Sequence, residues 1–357
     1  MRPQHRSRTS RIALLGVTAL LLAACGGGQS ADTPAPTPAP EPAPDTAPEP
    51  SEPSEPALPP IELVVTTSIL GDVVRAIGGD DIEVRVLMGP GVDPHGYAAS
   101  AADAAAMRDA DLVVANGLLL EEGLIATLEA AEADGVRVLT IADKVDPIEF
   151  KDAHDDHDHG HSHGHSHSHD DDHDHGDEDP HFWWDPMRMI MATELIGTAL
   201  ADIRPEVDWT ERVAAYNAEL MAVHDEMTAL FATIPAERRR IITNHDSLGY
   251  LADRYDFEVI GTVIPGATTL AEQNARDLAR LADLVVREGV SVIFAENTDR
   301  TTLAESLRSE AVGRGGVEID VVRLYTDALG QPGTGAETYL GMLRTTAGLI
   351  TEALAAA

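Results

Sequence analysis

The chain runs to 357 residues and carries 61 Asp and Glu against 25 Lys and Arg, a formal net charge of −36. Such an excess of carboxylates excludes a nucleic-acid partner, whose phosphates demand clustered Lys and Arg, and makes a cation the natural ligand. An apolar content of 43% can build packed cores, the length suggests two domains, and Cys25, the only cysteine, leaves no intramolecular disulfide and no multi-cysteine zinc site.

At the start of the chain, Arg2, Arg6, Arg8 and Arg11 form a basic head before an apolar run of 13 residues, Ile12 to Ala24. That run is too short to span a bilayer, which takes about 20 residues, and residues 1–24 read as a signal peptide. The run closes on Leu22-Ala23-Ala24-Cys25-Gly26, which resembles the bacterial lipoprotein signal. By that resemblance Cys25 carries lipid and anchors the mature chain to the bacterial membrane on its extracytoplasmic side, in a periplasm or on the outer face. Residues 25–60 follow as a linker, with 12 of the 22 prolines falling in 26–60. Such a composition buries no core and favours extended chain, with a reach of roughly 100 Å at about 3.1 Å per residue.

From Ile61 onward strands alternate with helices. The first half gives strands at Ile61–Thr67, Ile82–Met88, Asp111–Ala115 and Val136–Ile141, with helices at Leu70–Ile77, Ala99–Asp109 and Leu118–Ala133 between them. Met187–Ile203 and Asp208–Ile234 then repeat apolar residues at three- and four-residue spacing. The alternation restarts with strand Arg240–Thr243, helix Leu248–Tyr255, strand Glu258–Val263, helix Ala271–Glu288 and strand Val290–Ala295. Helix Leu303–Val312, strand Glu318–Leu324 and helix Thr338–Leu354 complete it. This order predicts an α/β protein of two lobes, each a parallel-rich sheet flanked by helices. The lobes are expected at 61–207 and 235–357, joined by a long linking helix at 208–234.

Between Pro147 and Met187 no strand or helix pattern appears. Residues 152–179 instead hold ten His, ten Asp and one Glu in 28 positions: His154, His157, His159, His161, His163, His165, His167, His169, His173 and His175. Neutral imidazole binds divalent transition metals, and alternating His-x-His puts many nitrogens within reach of one ion without a fixed backbone. The tract predicts several weak, exchangeable sites for zinc, nickel or copper. It collects metal, and an ordered site must select.

Outside the tract and the signal, four histidines remain: His95, His181, His224 and His245. His224 lies on the polar side of the 208–234 helix and reads as a solvated residue. The other three fall at strand-to-helix junctions or in their loops, His181 just before a helix. His95 sits in Asp93-Pro94-His95-Gly96-Tyr97, His181 in Asp179-Pro180-His181-Phe182-Trp183-Trp184-Asp185-Pro186, and His245 in Thr243-Asn244-His245-Asp246-Ser247. Asp-Pro-His with an aromatic two residues on occurs twice, and proline stiffens each turn so that its histidine is aimed. Asp93 and Asp179 stand where they can orient an imidazole from behind. A fourth ligand is expected at the last strand-end, where Asp327 follows Tyr325-Thr326; Glu296, just past an earlier strand, competes for that role. In open parallel sheets ligands bind at the carboxyl ends of strands, the end to which these loops belong.

These segments, with Asn116-Gly117-Leu118-Leu119-Leu120-Glu121, His245-Asp246-Ser247-Leu248-Gly249-Tyr250 and Tyr325-Thr326-Asp327-Ala328-Leu329-Gly330, resemble the zinc and manganese substrate-binding lipoproteins of bacterial ABC importers, the cluster A-I or cluster 9 family. The similarity covers about 61–357. It implies that His95 and His181 are ligands from the first lobe and His245 and Asp327 from the second, with little hinge closure. It also implies a permease and an ATPase as partners, and a histidine tract like that of zinc-type members. Manganese-type members resemble a set with Glu at the third position, where this chain has His245; three imidazoles and one carboxylate suit tetrahedral zinc. The disulfide known in some zinc members is missing.

The resulting expectation is a monomeric, non-enzymatic protein that captures Zn(II) as cargo outside the membrane, uses no organic cofactor and delivers the ion to an ABC importer. A metallochaperone is a possible donor. The alternatives are a manganese-binding importer component, a zinc buffer or metallochaperone without a transporter, and a zinc hydrolase on three histidines. The last would need an open coordination position and a general base, and no such motif stands out.

Overall fold

The computed structural model describes residues 58–150 and 178–356, apart from 265, 267, 272, 273, 299–301, 316 and 317. The signal, Cys25, nearly all of the linker and the ten tract histidines lie outside the described residues.

In the first half, β1 (Ile61–Val65), mostly apolar, and β2 (Ile82–Val86), which alternates apolar with charged residues, bracket α1 (Ser68–Gly78). The α1 helix starts where the Thr67 hydroxyl accepts from Leu70 N at 3.2 Å, and it buries Ile69, Leu70, Val73, Val74 and Ile77 as one stripe. A capping box between Ser100 and Asp103 opens α2 (Ala101–Asp109), which leads to β3 (Leu112–Ala115). Helix α3 (Ile125–Ala133) then leads to β4 (Val138–Thr140). The four strands form one parallel sheet in the order β2-β1-β3-β4, with Ile61 opposite Ile82 and Leu63 opposite Leu112. The chain winds outward from β1 in both directions, so the strand order reverses beside β1 and leaves a crevice at the carboxyl ends.

Asp185 caps α4 (Pro186–Ile203), with Pro186 in the first turn where its missing N–H costs nothing. Asp208 caps α5 (Trp209–Phe231), which buries Val213, Tyr216, Leu220, Val223, Met227 and Phe231 at helical spacing. Gly197 of α4 lets α5 approach closely, since a Cβ there would lie 2.6 Å from Val213 Cγ2.

The second half contains β5 (Arg240–Thr243), α6 (Gly249–Tyr255) and β6 (Glu258–Thr262), the two strands pairing in parallel. Next come α7 (Ala275–Glu288), β7 (Val292–Glu296), α8 (Thr302–Gly313) and β8 (Asp320–Leu324), with β7 and β8 also parallel. β5 packs beside β7, and α9 (Tyr339–Ala356) returns to lie on α5 and α1. Among the described residues, no helix is long and apolar enough to cross a membrane.

Two readings of the sequence need correction. The helix expected at Leu118–Ala133 begins only at Ile125. Residues 116–121 make a tight turn in which Leu118 and Leu119 take φ of 49° and 62°. The cause is Glu121, whose buried carboxylate gathers Asn116 N at 2.7 Å, Gly117 N at 3.1 Å and the Thr66 hydroxyl at 2.6 Å. A straight helix would carry it away from those donors. His224 is half-buried rather than solvated: its ring stacks at 5.6 Å on Tyr255, and Nδ1 lies 3.0 Å from the Tyr255 hydroxyl.

Candidate metal centre

Every strand that could reach the crevice ends near it with a polar group. The loop after β2 carries His95, β3 ends before Asn116, β5 runs into His245, β7 finishes on Glu296, and Asp327 follows β8 by three residues. His181 arrives from the segment before α4. Four of these side chains converge: one ligand atom each from His95, His181, His245 and Asp327 lies within 4.8 Å of the others, and all four residues are buried. The imidazoles form a triangle with ring centroids 5.2–5.6 Å apart.

Each imidazole is held differently. His181 offers Nδ1 to Asp179 Oδ1 at 2.7 Å, and its backbone N–H donates to the same oxygen at 2.8 Å. His245 repeats this pattern with Glu296 Oε1, at 2.6 Å from Nδ1 and 3.1 Å from its backbone N. Both rings therefore turn Nε2 inward, and the two Nε2 atoms stand 3.3 Å apart. His95 has no such partner. Its buried Nδ1 and Nε2 make no hydrogen bond, and Asp93 accepts from its backbone N rather than its ring. The second Asp93 oxygen accepts from Thr269 across the crevice at 2.6 Å. Asp327 Oδ2 lies 3.5 Å from His245 Nε2, and both its oxygens are buried without a hydrogen bond.

Unpartnered buried nitrogen and carboxylate atoms facing one point are costly unless a cation satisfies them. Three imidazoles and one carboxylate within 4.8 Å suit a four-coordinate ion. Glu296, the rival to Asp327, instead stands behind His245.

The electrostatics follow from burial and from these pairs. Burial and the neighbouring imidazoles bring His95 down to about 2 and His181 well below its ordinary value. Burial alone would lower His245 too, but the Glu296 and Asp327 carboxylates outweigh it and push the ring up to about 10. Burial also raises Asp327 well above the carboxylate range and Asp179 to about 7. With no cation bound, both shifts favour keeping protons on the facing His245–Asp327 pair, which a cation must displace.

Sequence reasoning quoted Asn116 and Trp183 within longer segments but assigned them no role, and it passed over Asn297. Asn116 donates its side-chain N–H to Pro180 O at 3.0 Å, fixing the turn before His181. Asn297 accepts from Thr326 N at 3.1 Å and donates to Ala328 O at 3.0 Å, clamping the peptide units around Asp327. Trp183 Nε1 donates to Thr326 O at 2.8 Å, tying that loop to the His181 turn. The position of Asn297 directly after Glu296, itself a candidate ligand, is the signal that could have found it.

Gly249 makes room for Asp179, because a Cβ there would lie 2.7 Å from Asp179 Oδ2. Gly249→Ala is expected to cost about 1–3 kcal/mol through overpacking, seen as a fall of several degrees in the metal-free melting temperature.

The class this fold and cluster define is a two-lobed α/β binding protein with a buried cation-binding centre. Residues 63–353 match the family model described as zinc-uptake complex component A, periplasmic (ZnuA), and the chain belongs to that family. It is 30% identical over 296 residues to the zinc-binding protein TroA of Treponema pallidum, covering 82% of this chain and 89% of that protein. The manganese-binding lipoprotein MntA of Bacillus subtilis is 27% identical over 296 residues, covering 82% and 90%. The solved structure of periplasmic TroA superposes with a TM-score of 0.72 at 28% identity, covering 83% of this chain and 99% of TroA.

Proposed function

We propose that this chain is the extracytoplasmic substrate-binding component of an ABC-type zinc importer, and that His95, His181, His245 and Asp327 enclose one Zn(II) as cargo. The observation that carries this reading is the buried convergence of three imidazoles and one carboxylate within 4.8 Å. Asp327 fills the position a hydrolase would keep for water, so the set binds rather than reacts. Family membership supports a permease and an ATPase as partners, and Leu22–Gly26 supports a lipid anchor on Cys25. A titration of the folded body with metal counting should give one tight zinc per chain, and diffraction at the zinc edge should place it on these four residues. An ion elsewhere, or none, would overturn the assignment.

Similarity to manganese-binding MntA gives manganese a place as the second reading. Three nitrogens and one oxygen favour zinc over a cation that prefers oxygen-rich, higher coordination, so zinc should displace manganese at equal concentration. The opposite order would favour the second reading.

The histidine tract is proposed to gather metal for this site. Its boundary needs care, because Asp179 holds His181 and Glu178 bridges to Glu149. Deleting 152–177 is expected to lower zinc stoichiometry and capture from dilute zinc while leaving one tight site. Loss of that site would show that the tract contributes ligands to it.

A further inference from the structure

Helix α6 grips the His181 turn from the opposite half of the molecule. It begins four residues after His245 and presents Tyr250 and Arg254, one turn apart on the same side. The Tyr250 hydroxyl donates to Asp179 O at 2.7 Å, two residues before His181. Arg254 donates from Nε and Nη2 to the two carboxylate oxygens of Asp185 at 2.9 and 2.6 Å, four residues after His181. Asp185 is fully buried, and it also accepts from Arg188 Nη1 at 2.5 Å and caps α4 through Met187 N. The Arg188 guanidinium lies 5.0 Å above the Tyr250 ring and donates to Asp146 O at 2.8 Å. The turn bearing one imidazole is thus held at both ends by the helix that follows the other.

We propose that Arg254, with Tyr250, is a positioning residue that fixes the His181–His245 spacing and thereby sets the rate at which the bound cation leaves. This rests on the proposed metal site but concerns how its geometry is held. A bidentate guanidinium–carboxylate pair is directional, so a flexible ammonium at the same place would hold the turn less well, and a thioether would not hold it at all.

The test uses the full chain loaded with Co(II), whose absorption bands report ligand geometry, and zinc release to an excess of chelator. Arg254→Met should shift the cobalt bands and speed zinc release about tenfold or more, with Arg254→Lys in between and Tyr250→Phe adding to the effect. In the metal-free chain, Arg254→Met should raise amide hydrogen exchange in 179–186 but not in α5. Arg344→Met, which removes the exposed Arg344–Glu226 pair between α9 and α5, serves as the control for general loss of stability. Wild-type bands and release in Arg254→Met, or equal changes in Arg344→Met, would overturn the inference while leaving the metal site standing. A wild-type chain that takes up no cobalt or zinc would instead sink the site itself and this inference with it.

Discussion

Asp327→Ala should weaken zinc binding by more than about a hundredfold, measured by competition against a chelator of known affinity. The size follows from a comparison: removing a hydrogen-bonded partner behind a metal-bound histidine typically costs 10–100-fold, and Asp327 is proposed to touch the ion itself. Its two oxygens make no hydrogen bond inside a buried pocket, so a proton on the carboxylate or on facing His245 must otherwise do what a cation does there, which is to offset their desolvation. Asn297 holds the flanking backbone independently of the carboxylate, so the variant should fold and keep its far-ultraviolet spectrum. Glu296→Gln is the informative companion. It leaves the four converging atoms in place and removes only the charge behind His245, so it should cost less than Asp327→Ala. Equal losses in the two variants, or none in Asp327→Ala, would mean that Asp327 does not complete the site.

Zinc affinity should fall about tenfold per pH unit between pH 8 and pH 7, and more steeply below that. His245 is pushed up to about 10 in the metal-free cluster and Asp327 is raised beside it, so over this whole window zinc must displace at least one proton to reach its ligands. His95 and His181 are already neutral and contribute no competition. Asp179, raised to about 7 by burial, takes a further proton as the pH drops, and a cation on His181 opposes that proton. From pH 7.5 to 5.5 the loss should therefore reach at least about a hundredfold. The sign is fixed: the metal-free state binds more protons, so acid favours release. Calorimetry in buffers of different ionisation enthalpy should count at least one proton released per zinc at pH 7.5. A count of zero would mean that neither His245 nor Asp327 holds a proton before binding, and would overturn this account.

The titration marks a limit of reading the sequence. Burial drives two of the three loop histidines down while two carboxylates drive the third up. Nothing in the local sequence distinguishes His181 from His245 in this respect, because the difference is set by Glu296 and Asp327 arriving from later strands. The convergence itself was more legible. Apolar runs of strand length followed by Asp-Pro-His or Asn-His-Asp place chemistry at strand ends, and parallel topology brings strand ends together. Asp179 was also readable as an orienting group, since it sits two residues before its histidine. Asp93 occupies the same local position and does otherwise: its backbone contact to His95 repeats the pattern, but its free oxygen goes to Thr269. The Leu118–Leu119 turn was illegible for a different reason. Leucine is a strong helix former, and only the buried donors collected by Glu121 override that preference. Arg254 gave no signal at all, because its partner lies 69 positions away.

The antiparallel bridge between Glu149 and Glu178, with Asp179 N donating to Ile148 O at 2.8 Å, brings the two flanks of the histidine tract side by side. A segment whose ends are pinned together in this way can lengthen, shorten or be exchanged without pulling on the body. Natural drift in the number of repeats should then be nearly neutral for folding, and the same junction offers a place to graft a fluorescent reporter that leaves His181 undisturbed.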